Sequence, residues 1–130
     1  SKNRLNLNMD GPAVFDFTMR EIPVSISNFM KNLNVKTDDI DFFAFHQSNA
    51  FIIKQIANKL NIKSEKILMN ISDFGNTSGV SIPLMLVTEK DKLINNSSKI
   101  IFSGYGSGLT WGNCLLKLSK EMNFFELIEI

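Results

Sequence analysis

A chain of 130 residues with 44% hydrophobic composition is long enough for one domain with a buried core and too short for several. Fourteen basic and thirteen acidic side chains leave a net charge of +1, so no overall field draws the chain to nucleic acid or to an anionic membrane. One cysteine and one histidine exclude an internal disulfide framework and the ligand set of a structural zinc site.

The polar opening "SKNRLNLN" has the character of a cut through a larger protein. Apolar runs such as residues 80–87 are too short to span a bilayer, and the start lacks the basic-then-apolar order of a signal peptide. A cytoplasmic address without membrane insertion is expected.

From Gly11 to Leu33, Phe15, Met19, Ile22, Ile26, Met30 and Leu33 recur at helical spacing, which predicts an amphipathic helix kinked or interrupted at Pro23. The polar turn "KTDD" leads into "DIDFFAF", a short buried strand with His46 at its carboxyl end. Ser48 or Asn49 then caps a second helix carrying Ile53, Ile56, Ala57 and Leu60 on one face, with Asn61 at a left-handed exit. "KILMNI" reads as a second strand, and "SDFGNTSG" as a loop before a helix from Ser81 to Leu93, with Pro83 in its first turn. "SKIIFSGYGSG" and "LTWGNCLLKL" are strands joined by too short a turn for a helix, so they pair antiparallel. The sum is an α/β fold: a mixed, mostly parallel sheet layered with helices and ending in an antiparallel hairpin. His46, Asn76 and the 104–108 loop all follow strand ends, where sites in such sheets are built.

Each of these residues also has a plain structural use. A lone histidine is often a hydrogen-bonding residue of the core, Asn76 between Gly75 and Gly79 suits a turn, and "GYGSG" suits a tight hairpin. That loop is not a phosphate loop, because no Lys-Ser/Thr follows it.

Taken together, "MDGPAVF" at 9–15, "HQSN" at 46–49, "FGNTSGVSIPL" at 74–84 and "GYGSGLTWG" at 104–112 resemble the β-ketoacyl-acyl carrier protein synthase III family of the thiolase superfamily. The resemblance covers about residues 9–118. It implies that residues 1–120 form the C-terminal thiolase-like domain, the second of two similar halves, and that the acyl-accepting cysteine belongs to the other half. Residues 121–130 continue past the usual end of the family, and their mix of acidic and apolar side chains suits an added packing helix.

The chemistry implied is acyl transfer. A cysteine takes an acyl group from a thioester, and a malonyl thioester then loses carbon dioxide to give an enolate. The resemblance makes His46 and Asn76 the two donors to the thioester oxygen as it gains charge, each worth about 3 to 4 kcal/mol. Related elongating synthases use two histidines, so Asn76 points to the type III branch. By the same correspondence Asn49 bonds the pantetheine arm, Gly11 and Phe15 line its tunnel, and the Ser107 N–H completes an oxyanion hole for the acyl-cysteine. For Phe15, simple helix-face packing is an equal alternative.

Family members commonly carry glycine or alanine where Ser107 stands. No cofactor is implied: acyl-CoA and malonyl-carrier protein are substrates, and the implied partners are acyl carrier protein and a second copy in a homodimer. Cys114 lies within an alternating strand and is expected to be a small buried residue, with Trp111 in the core. This chain alone is therefore expected to be inactive. A related branch that passes the acyl group to an oxygen or nitrogen acceptor, and a noncatalytic partner subunit that has lost its cysteine, are the alternatives.

Overall fold

Helix α1 (Gly11–Asn32) opens the computed structural model, which describes residues 9–94 and 98–119. Asp10 caps it by accepting the Ala13 N–H at 3.0 Å, and Ile22, Ile26 and Met30 form its buried stripe. The helix runs through Pro23 without interruption. A proline at position 23 removes the N–H owed to the Met19 carbonyl four residues earlier. That oxygen instead receives Nζ of Lys59 at 2.9 Å.

Strand β1 (Phe42–Phe45) is buried at every residue, the pattern of a strand covered on both faces. Helix α2 (Ala50–Lys59) follows, and Asn61 exits it at φ 52°, as its left-handed preference predicts. Strand β2 is shorter than "KILMNI" suggests, only Ile67–Leu68, because the next N–H available to pair, that of Asn70, goes to the Gln47 side chain rather than to β1 backbone. The expected loop holds a one-turn helix α3 (Ile71–Phe74) and a 3₁₀ turn at Ser78–Val80. The expected single helix from Ser81 is two, α4 (Ser81–Thr88) and α5 (Lys90–Ile94). At the break, the Thr88 hydroxyl competes for the Met85 carbonyl that also takes the Glu89 N–H, a side-chain intrusion that ends or bends helices. Strands β3 (Lys99–Gly106) and β4 (Thr110–Lys117) form the closing hairpin.

The sheet order is β2-β1-β3-β4, parallel at its first two junctions and antiparallel at the last, as the mixed-sheet reading requires. One face packs Phe43, Phe45 and Ile101 against α1 and α2. The other packs Phe42, Ala44, Leu68 and Ile100 against Met85 of α4 and Leu93 of α5. β4 is an edge strand, and this corrects two expectations. Cys114 is exposed rather than buried, and Trp111 is 44% exposed, touching Phe17 edge-on with ring centroids 5.3 Å apart. An edge strand has cover from α1 on one face and no further strand beside it, so its residues stay open. Residues 121–130 lie outside the described residues. No helix among the described residues is long and apolar enough to cross a membrane.

Candidate active site

β1 is flanked by β2, reached through α2 on one face, and by β3, reached through α4 and α5 on the other. The crossovers therefore diverge at β1 and β3, and the crevice beyond the carboxyl ends of such a strand pair is where open α/β sheets hold ligands. His46 stands there. Its N–H bonds the Ser103 carbonyl of β3 at 2.9 Å, extending the ladder by one residue beyond β1.

The imidazole is half-buried and held from two sides. Nδ1 lies 2.8 Å from Oγ of Ser81, the first residue of α4, and the ring meets Tyr105 of β3 edge-on at 5.4 Å. Burial lowers its pKa below the usual 6.5, so the ring is neutral at physiological pH. Tyr105 donates to the His46 carbonyl at 3.3 Å and lies 3.2 Å from Oγ of Ser48. Burial raises the phenol to about 12, with the Ser48 contact opposing, which keeps it a neutral donor. Next in the chain, Gln47 is fully buried: Nε2 donates to Phe45 O at 2.9 Å and Oε1 accepts the Asn70 N–H at 3.1 Å. The segment after β1 is thus fixed to β2, β3 and α4 at once.

Both asparagines are oriented by backbone donors. Asn49 caps α2 by accepting the N–H groups of Phe51 and Ile52 at 2.8 and 3.4 Å, which decides between it and Ser48. Asn76, exposed in the loop between α3 and the 3₁₀ turn, accepts the Ser78 N–H at 2.9 Å. In each case the amide oxygen is committed, and Nδ2 is the group left to donate.

Phe15 of α1 is 38% exposed and stacks on Phe51 of α2, itself 58% exposed, with centroids 6.0 Å apart. This aromatic pair adjoins the Asn49 cap and is not packed into the core cluster. Among the described residues nothing lies within 4 Å of a Cβ placed at Gly11, so no close approach by them demands glycine there. Ser107 sits exposed in the β3–β4 turn, where its carbonyl accepts the Thr110 hydroxyl at 3.0 Å. Gly108 follows at φ 142°, and a Cβ there would come within 2.6 Å of the Thr110 methyl.

Hydrogen bonds and ring contacts therefore join His46, Ser81, Ser48 and Tyr105 directly. Asn76 and Ser107 are tied to that group through the chain, five residues before Ser81 and two after Tyr105. Ser81, Tyr105 and Gln47 escaped the sequence reading of the site. The available signal was polar residues inside otherwise matching motifs: Ser81 between Val80 and Ile82, and the chain's one tyrosine between two glycines. Two shallow depressions of about 490 and 400 Å³ lie along α1, one beside Lys59 and one beside Trp111, and neither includes His46. The topology and the convergence of polar groups locate the site better than concavity does. Among the described residues no group of three His, Cys, Asp or Glu side chains could hold a metal.

Residues 30–118 match the family described as 3-oxoacyl-[acyl-carrier-protein (ACP)] synthase III C terminal. The chain is 36% identical over 117 residues to the β-ketoacyl-[acyl-carrier-protein] synthase III of Lactococcus lactis, and 40% identical over 115 residues to that of Streptococcus pyogenes serotype M49. These alignments take in 87% and 86% of this chain but 36% of each relative, so the chain spans just over a third of their length. Among solved structures, it superposes on 3-oxoacyl-(acyl carrier protein) synthase III from Pseudomonas aeruginosa PAO1 with a TM-score of 0.83 and 29% identity, covering 95% of this chain and 39% of the other. The enzyme of the same name from Aquifex aeolicus VF5 gives a TM-score of 0.83 at 33% identity, over 90% and 38% of the two chains.

Proposed function

Because the chain belongs to the family of 3-oxoacyl-[acyl-carrier-protein] synthase III C-terminal domains, we propose that it is the enolate-stabilising half of a condensing enzyme, with His46 and Asn76 as its catalytic donors. The relatives' names give a product, a β-ketoacyl group on acyl carrier protein, and the precursors proposed for it are an acyl thioester and a malonyl thioester. The observation that carries the reading is the state of the two side chains. The His46 ring is neutral and, among the described residues, hydrogen-bonded through Nδ1 alone, which leaves Nε2 open, and Asn76 has its oxygen committed to Ser78, which leaves its Nδ2 amide to donate.

In the reaction, the C–C bond to the malonyl carboxylate breaks and carbon dioxide leaves. The electron pair moves into the thioester carbonyl, whose oxygen becomes an enolate oxyanion. Two N–H donors aimed at that oxygen stabilise the charge, and neither has to change its own charge to do so. The enolate carbon then attacks the acyl-cysteine carbonyl, the Ser107 N–H takes the second oxyanion, and the cysteine sulfur leaves. The cysteine comes from the complementary half, because Cys114 on β4 is part of an edge strand and not of this rim. Asn49 donates Nδ2 to the pantetheine arm, which passes the open Gly11 position and the Phe15–Phe51 pair. Acyl-CoA and acyl carrier protein deliver the substrates, and the full enzyme is a homodimer in the cytoplasm.

A crystal structure of the protein joining this chain to its cysteine-bearing half, with a malonyl thioester analogue bound, tests the reading. His46 Nε2 and Asn76 Nδ2 should both lie about 2.7 to 3.1 Å from the thioester oxygen. An analogue whose oxygen meets neither donor would remove the assignment and leave the family resemblance as a statement about fold.

A further inference from the structure

The hydroxyl of Ser81 has one proton to give and two lone pairs to receive with. It is 1% exposed, so its proton must find an acceptor inside the protein. Two groups reach Oγ: the Gln47 backbone N–H at 3.3 Å and His46 Nδ1 at 2.8 Å. The amide can only donate. If Nδ1 also carried a proton, the oxygen would accept twice, and its own proton would have no acceptor among the described residues. The arrangement closes only when the Ser81 O–H donates to an unprotonated Nδ1.

We infer that Ser81 is a positioning residue that holds His46 in the tautomer bearing its proton on Nε2. This rests on the proposed role of His46 as a donor and deepens it, since a ring with its one proton on Nδ1 would offer a lone pair where the enolate oxygen needs an N–H. Ser81 is itself fixed as the first residue of α4, while Gln47 N–H comes from the segment after β1, so the sheet and the helix must both be in place for the tautomer to be set. The same bond disfavours the imidazolium, which needs acceptors at both nitrogens. Among the described residues the other titratable group in contact with the ring is Tyr105, neutral below its pKa of about 12, and no charged side chain perturbs it.

His46 is the chain's one histidine, so a histidine-labelled ¹⁵N spectrum of the 130-residue chain contains a single imidazole. Near neutral pH the expected spectrum has an unprotonated, hydrogen-bonded Nδ1 and a protonated Nε2. In Ser81→Ala the Nδ1 resonance should move to that of an unbonded nitrogen and the titration midpoint should rise, because the neutral ring has lost its donor. Ser81→Thr keeps the hydroxyl and should restore both. In the protein with both halves, Ser81→Ala should lower kcat for decarboxylation by roughly fivefold to tenfold, the weight of one ordinary hydrogen bond, with KM unchanged. A protonated Nδ1 in the unmutated chain overturns the inference whether or not the variants fold, and so does an unchanged Nδ1 resonance in Ser81→Ala. Failure of the catalytic reading looks different: the tautomer stands as inferred, but His46→Ala decarboxylates at the unmutated rate.

Discussion

Oε1 of Gln47 accepts the backbone N–H of Asn70 at 3.1 Å, so a side chain continues the β1–β2 junction where the ladder of main-chain bonds has stopped. Nε2 of the same residue donates to Phe45 O at 2.9 Å, inside a fully buried setting. Gln47→Leu keeps the volume and strands both groups away from water. The expected cost is about 2 to 3 kcal/mol, seen as a lower urea midpoint with an unchanged slope. A loss under about 0.5 kcal/mol would mean the junction is held by packing alone.

Lys59 and Pro23 should be energetically coupled through the Met19 carbonyl. With Pro23 present, Lys59→Met removes the donor that replaces the missing helical N–H, at an expected cost of about 0.5 to 1 kcal/mol for a bond on the exposed surface. In a Pro23→Ala background the helix supplies its own N–H to that oxygen, and the same substitution should cost less than half as much. Equal costs in both backgrounds, measured as a double-mutant cycle by urea unfolding, would deny the pairing.

Stability should fall on mild acidification because of His46. Its folded pKa is lowered by burial, whereas the unfolded ring titrates near 6.5, so between the two values the unfolded chain binds the extra proton. Stability therefore rises with pH across that window and is lost as pH falls through it. Comparing urea midpoints at about pH 7.5 and about pH 5.5, the unmutated chain should lose more than His46→Gln does. Equal losses would place the titrating group elsewhere.

The mixed, helix-layered sheet and its closing hairpin were open to a sequence reading because β1 is a continuous apolar run, α1 and α2 carry clean helical stripes, and too few residues separate the last two strands to hold a helix. Pro23, the short β2 and the break at Glu89 were not: the first two depend on long-range side-chain partners, Lys59 forty residues from Met19 and Gln47 before Asn70, and the third on the Thr88 hydroxyl turning back to the Met85 carbonyl. Local propensity carries no trace of such bonds. Cys114 and Trp111 were misread because alternation predicts two faces but not whether a strand lies at an edge. At the candidate site, motif resemblance pointed to His46 and Asn76 as the proposed donors. Ser81 was not, since a buried serine at a helix start reads as an ordinary terminus until its distance to Nδ1 is seen.

His46 and Asn76 are proposed as paired donors to one developing oxyanion. Malonyl thioester decarboxylation, followed separately from cysteine acylation in the protein that joins this chain to its cysteine-bearing half, tests it most directly. His46→Ala and Asn76→Ala should each slow decarboxylation by about a hundredfold to a thousandfold, the scale for losing one oxyanion donor. Acylation should suffer less in Asn76→Ala than in His46→Ala, because only the histidine can also influence the thiol. Decarboxylation within about tenfold of the unmutated rate in either variant, far short of the weight of one such donor, would contradict the account.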